Sequence, residues 1–379
     1  MISTEPAVKG KVRRSTKIAF VIWSLAGMGG SERVVYDIVR NMDRGAFSTI
    51  VIGFEDGPAR ALYENMGVKT AIIMKEKKID PGFVKRFRRI LMEEEIDIVN
   101  PHHFSPLLYS MLATRFSRVR LVYTEHSRWQ LEQLPRVKKI VNWVMLQRAD
   151  AVVAISDQIM EYYTRRLWLP KNRVHLVNNG IEISAFQRPG QGHLRQKLGI
   201  TGNAKVIGAV ANIRPEKNHR LLVAAFSALL KRGLDLFLVI VGHDYLEGEI
   251  QSFARRLGVG ERALFLGKRE DVPGLLSIFD VFCLPSIYEG LPLTVLEAMA
   301  AGIPVVGADV LGINEVVRHN ENGLLFPSNE QEKLEECLHL LLEDDALRRR
   351  LSLAGRDSVK ERYSIEKMIE NYEHLFRSV

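Results

Sequence analysis

Cysteine is nearly absent from this chain: there are two in 379 residues, Cys283 in an apolar run and Cys337 in a helix-like one. Two thiols make no disulfide framework, so the sequence suits a reducing compartment, with both cysteines expected as core residues. No stretch reaches the roughly 18 uninterrupted apolar residues of a spanning helix, and no membrane crossing is predicted. An Asp-x-Asp pair, the usual spacing for holding a divalent ion between two acids, does not occur. Short fixed-period repeats are missing too, which excludes a solenoid. Basic residues are not interleaved with base-stacking aromatics, which argues against nucleic acid as a partner.

What is present is a chain with 46% hydrophobic and 26% charged residues, long enough for two ordinary domains with their own cores. Lys and Arg number 53 against 45 Asp and Glu, a formal charge of +8 that suits an anionic small ligand, an acidic membrane surface or a nucleic acid. The opening "KVRRSTKIAFVIWSLAGMGG" puts a basic flank before a short apolar run, as a secretory signal does. A glycine turn and an amphipathic helix follow directly. The better reading is a disordered basic tail, residues 1–15, leading into a buried first strand, Lys17 to Leu25.

Apolar runs rich in Val, Ile, Leu and Phe alternate with longer helical patterns: "KIAFVIW", "STIVIGF", "TAIIM", "IDIVN", "RLVYTEH" and "DAVVAIS", then "KVIGAVAN", "LFLVIVG", "ALFLG", "VFCLPS", "PVVGAD" and "GLLFP". Runs without polar alternation indicate strands covered on both faces, hence parallel, helix-flanked sheets of the doubly wound α/β class. Twelve or so strands exceed one open sheet, and the polar, glycine-rich stretch 177–205 interrupts the chain midway. The expected division is 16–180 for a first Rossmann-like domain and 181–362 for a second, closed by a helix at 363–379. Ligands of such sheets bind beyond the carboxyl ends of the strands.

Three strand-to-helix junctions carry chemistry. In "WSLAGMGGSERVVYDIVRNM", Gly27, Gly29 and Gly30 precede a helix with apolar Val34, Val35, Ile38 and Val39. Glycines there admit backbone close to a ligand, and the helix start offers free N–H groups to an anion. A dinucleotide fingerprint needs a small residue at position 32, which is Glu32, so NAD and FAD are disfavoured. In "ANIRPEKNHRLLVAAF", Arg214, Lys217, His219 and Arg220 crowd the loop after the first strand of the second domain, either as ordinary solvated charge at a helix start or, given their place at the end of a strand, as the cationic cluster that holds a diphosphate. In "SIYEGLPLTVLEAMAAGIPVV", Pro292 stands where a first helical residue is favoured, and the helix should run through Ala301. Leu291, its expected N-cap, has no side-chain acceptor, which leaves an anion socket of unpaired N–H groups. Glu289 precedes the turn and Glu297 falls on the helix's second turn, so both carboxylates can face one ligand.

Glu289, seven intervening residues and Glu297, set in "EGLPLTVLEAMAAGIPVV", resemble the E-x7-E signature of the retaining GT-B glycosyltransferases of family 4. "GGSERVV", "YTEHS", "VVAISDQI", "VNNGIE", "RPEKNH", "LFLGKREDVPGLLSIFDVFCLPS" and "NGLLFP" extend the resemblance over nearly the whole chain. It implies the GT-B fold, with two Rossmann-like domains facing across a cleft. It also implies a nucleotide-diphosphate-sugar donor held mainly by the C-terminal domain, an acceptor held mainly by the N-terminal one, and a last helix crossing back. By position, Glu289, His126 and Lys217 would be the catalytic residues: Glu289 on the donor sugar's hydroxyls, His126 near the reacting sugar, Lys217 on the diphosphate. Backbone N–H groups around Gly290, Leu291, Thr294 and Val295 would join Lys217, Glu297 would hold the ribose, and Gly29 with Gly30 would close over the phosphates. Gly242 and, in "GKRED", Arg269 complete the implied substrate-binding set. The family usually has Arg where this chain has Asn212; Arg214, two residues on, is the candidate replacement.

The resemblance further implies retention of configuration and no cofactor, with UDP-sugar favoured as donor over GDP-sugar. His102 and His103, in "NPHHF", are candidates for meeting a saccharide or lipid-linked acceptor. "PGFVKRFRRILMEEE" and "RWQLEQLPRVKKIVNWVML" mix Lys and Arg with Trp, Phe, Leu and Val, as helices lying on anionic lipid do, or as ordinary helices with a solvated basic face. The expected location is cytoplasmic, either free or in peripheral contact with the inner face of the membrane, according to which of the two helix readings holds. A nucleotide-sugar epimerase and a non-catalytic sugar-nucleotide sensor are the competing readings.

Overall fold

Uninterrupted apolar runs become central parallel strands. The computed structural model describes residues 14–74, 80–187 and 192–379; most of the expected basic tail, and residues 188–191 of the mid-chain interruption, lie outside them. Among the described residues the first sheet contains β1 (Thr16–Ser24), β2 (Phe47–Glu55), β3 (Lys69–Ile72), β4 (Ile98–Pro101), β5 (Arg120–Glu125), β6 (Ala151–Ala154) and β7 (Val174–Leu176), in the order β3-β2-β1-β4-β5-β6-β7. The second contains β8 (Lys205–Val210), β9 (Leu236–Val241), β10 (Ala263–Phe265), β11 (Val281–Leu284), β12 (Val305–Ala308) and β13 (Leu324–Phe326), in the order β10-β9-β8-β11-β12-β13. Ile18 of β1 pairs in parallel with both Thr49 and Ile98, and Ile18 through Ile22 are buried on alternate faces alike. This is what a strand without polar alternation requires, and the architecture is the expected pair of Rossmann-like sheets with helices.

Strand order reverses beside the first strand of each sheet, β1 between β2 and β4, and β8 between β9 and β11. The loops after β1 and β8, carrying Gly29–Gly30 and Asn212–Lys217, therefore leave at the switch points where doubly wound sheets bind ligands. By compactness the chain divides into one unit holding the residues up to Tyr123 with Arg148–Asp150, and another holding Thr124–Gln147 with Ala151–Ser378.

The helix Gly30–Asn41 buries Val34, Val35, Ile38 and Val39, as their spacing predicts. The two basic, apolar helices separate. In Pro81–Glu93, Phe83, Phe87 and Leu91 are buried, so this helix spends its aromatic residues on the core and is no candidate for lipid. In Arg136–Arg148, Val137, Ile140, Trp143 and Val144 are exposed. The last helix, Ile365–Ser378, buries Met368, Tyr372 and Phe376; the Ile365 amide donates to the Ile181 carbonyl at 3.0 Å. No helix among the described residues is long and apolar enough to cross a membrane. Cys283 is fully buried, which pushes its thiol pKa up, and half-buried Cys337 is raised to about 11 by the same loss of solvent.

Candidate functional site

The chain leaves β11 through Pro285 and buried Ser286 and reaches Glu289 before the helix Leu293–Ala300. That helix begins one residue later than its sequence suggests. Pro292 is the N-cap, with φ −74° and ψ 105°, rather than the first helical residue, and Leu291 lies before the cap. The reason is local: proline fixes φ in either role, and the extended ψ lets the chain turn out of the loop before helical hydrogen bonding starts. The consequence expected of Leu291 passes to Pro292, which offers no side-chain acceptor either. The Val295 amide donates to the Pro292 carbonyl at 3.1 Å, while the amides of Leu293 and Thr294 have no acceptor among the described residues. Gly290 and Leu291 likewise donate no hydrogen bond there, so a short arc of N–H groups remains open at the positive end of a helix.

Lys217 meets this loop. It ends the short turn Pro215–Lys217, itself followed by Asn218 in the left-handed region at φ 52°. Its Nζ lies 2.5 Å from Glu289 Oε1, and the Ser286 hydroxyl donates to the same oxygen at 2.7 Å. The Ile287 amide donates to the Glu216 carbonyl at 2.8 Å, tying the two loops together through backbone as well. Both ionic side chains retain some solvent contact, 22% for Lys217 and 11% for Glu289, so an incoming anion or hydroxyl can reach them.

The turn after β5 closes on the other side. His126 is buried, its amide donating to Glu125 Oε1 at 2.7 Å. A Cβ on Gly290 would sit 2.0 Å from the His126 carbonyl oxygen, so only glycine permits this approach. Gly312, at φ 85°, is excluded from carrying a side chain on two counts, since a Cβ would also meet the Gly290 and Glu289 carbonyls at 2.4 and 2.7 Å. Next to these contacts the rings of Trp129 and Tyr288 stack almost flat, centroids 3.7 Å apart and planes 6° from parallel. The Gly312 amide donates to Gln158 Oε1 at 3.2 Å, and the amides of Asp157 and Gln158 donate to the Glu315 carboxylate at 2.5 and 3.3 Å. Sequence reasoning passed over Trp129, Gln158, Tyr288 and Glu315. Tyr288, adjacent to Glu289, was the one with a visible signal.

The remaining candidates fall as follows. Glu297 is half-buried on the second turn of its helix, and Val295 is wholly buried there. Asn212 Oδ1 accepts from the His243 amide at 3.0 Å, and the Gly242 amide donates to Gly267 at 2.9 Å. Arg269 grips Asp271 through two hydrogen bonds of 2.8 and 2.7 Å, which raises its pKa. Arg214 lies 3.9 Å over the Tyr245 ring. His219 is buried, and that burial, with Lys217 adding to it, brings its pKa down to about 4; it is a neutral core residue, not a surface cation. In the other compact unit Gly29 caps the helix that Gly30 begins. His102 there has no exposed surface; burial brings its pKa down to about 3, and its Nε2 lies 3.0 Å from Asn100 Oδ1. His103 caps the helix Phe104–Thr114 at φ 71°.

The family model described as "Glycosyl transferases group 1" matches residues 191–358, and that of "Glycosyltransferase Family 4" matches residues 28–185. The chain is 31% identical over 314 residues to the alpha-maltose-1-phosphate synthase of Mycolicibacterium smegmatis, covering 76% of this chain and 80% of that one. It belongs to the group 1, family 4 glycosyltransferases. This glycosyltransferase is also similar, at 26% identity over 299 residues and 77% of the relative, to the UDP-Gal:alpha-D-GlcNAc-diphosphoundecaprenol alpha-1,3-galactosyltransferase of Escherichia coli. Its fold matches that of Anabaena HepE, solved with UDP and glucose, at a TM-score of 0.86 and 23% identity, covering 96% of this chain and all of HepE. The fold is therefore GT-B.

Proposed function

We propose that this glycosyltransferase moves a sugar, with retention of configuration and without a metal ion, from a nucleotide-diphosphate sugar to a hydroxyl of a saccharide or lipid-linked acceptor. The observation that carries the reading is the Lys217–Glu289 pair beside an uncapped helix start, within the E-x7-E segment of a family member. Breaking the bond between anomeric carbon and phosphate leaves a sugar with cationic character and a diphosphate with added negative charge. Lys217 and the open amides around Gly290–Thr294 are preorganised to favour that diphosphate. Glu289 orients the sugar hydroxyls and Glu297 the ribose, His126 stands near the reacting carbon, and Gly29 with Gly30 approach the phosphates. No nucleophile is assigned to Glu289; attack comes from the face that the diphosphate leaves. UDP-sugar is the favoured donor, supported by the UDP of HepE and the UDP-Gal of the Escherichia coli relative.

The acceptor of that relative is lipid-linked, and this chain carries a surface suited to an anionic bilayer. Val137, Ile140, Trp143 and Val144 are exposed among Arg136, Lys138 and Lys139, and Trp168, 83% exposed, follows Arg165 and Arg166. The protein is expected to pellet with anionic vesicles at low salt, and Ile140→Glu with Trp143→Glu should lower the bound fraction severalfold. Absence of binding at both low and high salt would remove the membrane from the reading.

A thermal-shift series with UDP, GDP and ADP tests the donor assignment. UDP is expected to raise the melting temperature most, since a ligand at a hundred times its Kd stabilises the native form by about 2.7 kcal/mol. If none of the three shifts the transition, the nucleotide-sugar reading is wrong.

A further inference from the structure

Of the cations clustered after β8, most are already engaged. Lys217 is bound to Glu289, Arg220 lies 3.8 Å from Glu249, and His219 is buried and neutral. Arg214 differs: it is exposed, and no carboxylate among the described residues pairs with it. It is nevertheless held, its guanidinium lying 3.9 Å over the face of Tyr245. Tyr245 is half-exposed, but its ring packs edge-on against His243 at 4.5 Å and its amide donates to the Ile213 carbonyl at 3.0 Å. The Ile213 amide returns a bond to the His243 carbonyl at 2.8 Å, so the ends of β8 and β9 are zipped where the ring is mounted. Asp244 fixes the rest of the turn by accepting from the amides of Leu246 and Gly248. Arg214 also immediately precedes the turn Pro215–Lys217, whose Glu216 carbonyl accepts from the Ile287 amide of the Glu289 loop at 2.8 Å.

A guanidinium seated on an aromatic face keeps its full charge and leaves its N–H fork unspent. We infer that Tyr245 is a positioning residue that holds Arg214 ready as the second cation for a nucleoside diphosphate. The inference rests on the donor reading above. It also explains how Asn212 is tolerated: its side chain serves the His243 amide, and the cation comes from Arg214 on a ring instead.

Calorimetric titration with UDP, GDP and ADP, and with uridine, guanosine and adenosine, tests it on the wild type, Tyr245→Ala, Tyr245→Phe, Arg214→Ala and the double alanine variant. Tyr245→Ala is expected to weaken the diphosphate about two- to fivefold, with nucleoside affinity unchanged and Tyr245→Phe close to wild type. In the Arg214→Ala background the tyrosine change should add nothing. Wild-type-like diphosphate binding by Tyr245→Ala, an equal loss for the nucleoside, or a further loss in the double variant would each overturn the inference while leaving the donor reading intact. A wild type that binds none of the three diphosphates would overturn both.

Discussion

Lys217→Ala is expected to lower the rate of sugar transfer by ~10²- to 10³-fold, the usual cost of removing one preorganised group that favours developing negative charge. The geometry adds a second expectation of opposite sign. Lys217 lies 2.5 Å from Glu289, so a diphosphate must share an ammonium already paired with a carboxylate. Glu289→Gln keeps the shape and an acceptor for Ser286 but removes that competition. This variant should bind UDP more tightly, by about ten- to a hundredfold, given the 1.5–3 kcal/mol typical of a hydrogen bond to a charged group, while transferring sugar far more slowly. Steady-state kinetics with titration of UDP reads both. Full transfer by either variant would remove the pair from the chemistry, and weaker UDP binding by Glu289→Gln would mean that Glu289 does not hold Lys217 back.

The second large effect is expected from one methyl group. Gly290→Ala places a Cβ 2.0 Å from the His126 carbonyl oxygen, and backbone cannot yield as a flexible side-chain end can. Either the His126 turn or the Glu289 loop must move by about an ångström, a displacement that can cost ~10²-fold in rate. Overpacking of this kind should also destabilise the fold by about 1–3 kcal/mol. Gly27→Ala, where a Cβ meets nothing within 4 Å, is the matched control and should melt as the wild type does. Unchanged activity and melting in Gly290→Ala would show that the close approach is not maintained in solution.

Much of the fold could be read from strand composition, because a strand covered on both faces writes itself as an unbroken apolar run. β7 is the exception: Val174–Leu176 is a three-residue edge strand with His175 and Leu176 only half-buried, too short and too mixed to stand out from a loop. The site was legible in part. Residue types at the loop after β11 pointed to an anion at a helix start, and the structure does bring Lys217, Glu289, Gly290 and His126 together. What could not be read is pairing across sequence distance. Nothing in the chain's order says that Lys217 binds Glu289, 72 residues away, or that the cation cluster resolves into one paired lysine, one neutral histidine and two arginines on rings, of which Arg220 also lies beside Glu249. Whether an apolar residue in a basic helix faces core or solvent is also a tertiary fact. Phe83 and Val137 look alike in sequence, and only packing separates them.

The flat contact between Trp129 and Tyr288 has a practical consequence. The protein has four tryptophans, and Trp23, Trp143 and Trp168 are solvent-exposed, leaving Trp129 as the indole pressed against a phenol. With the three others changed to phenylalanine, the glycosyltransferase would carry one tryptophan, and its emission, excited beyond the tyrosine absorption band, would follow the residue next to Glu289, so that movement of the loop could be timed in a stopped-flow instrument without attaching a dye.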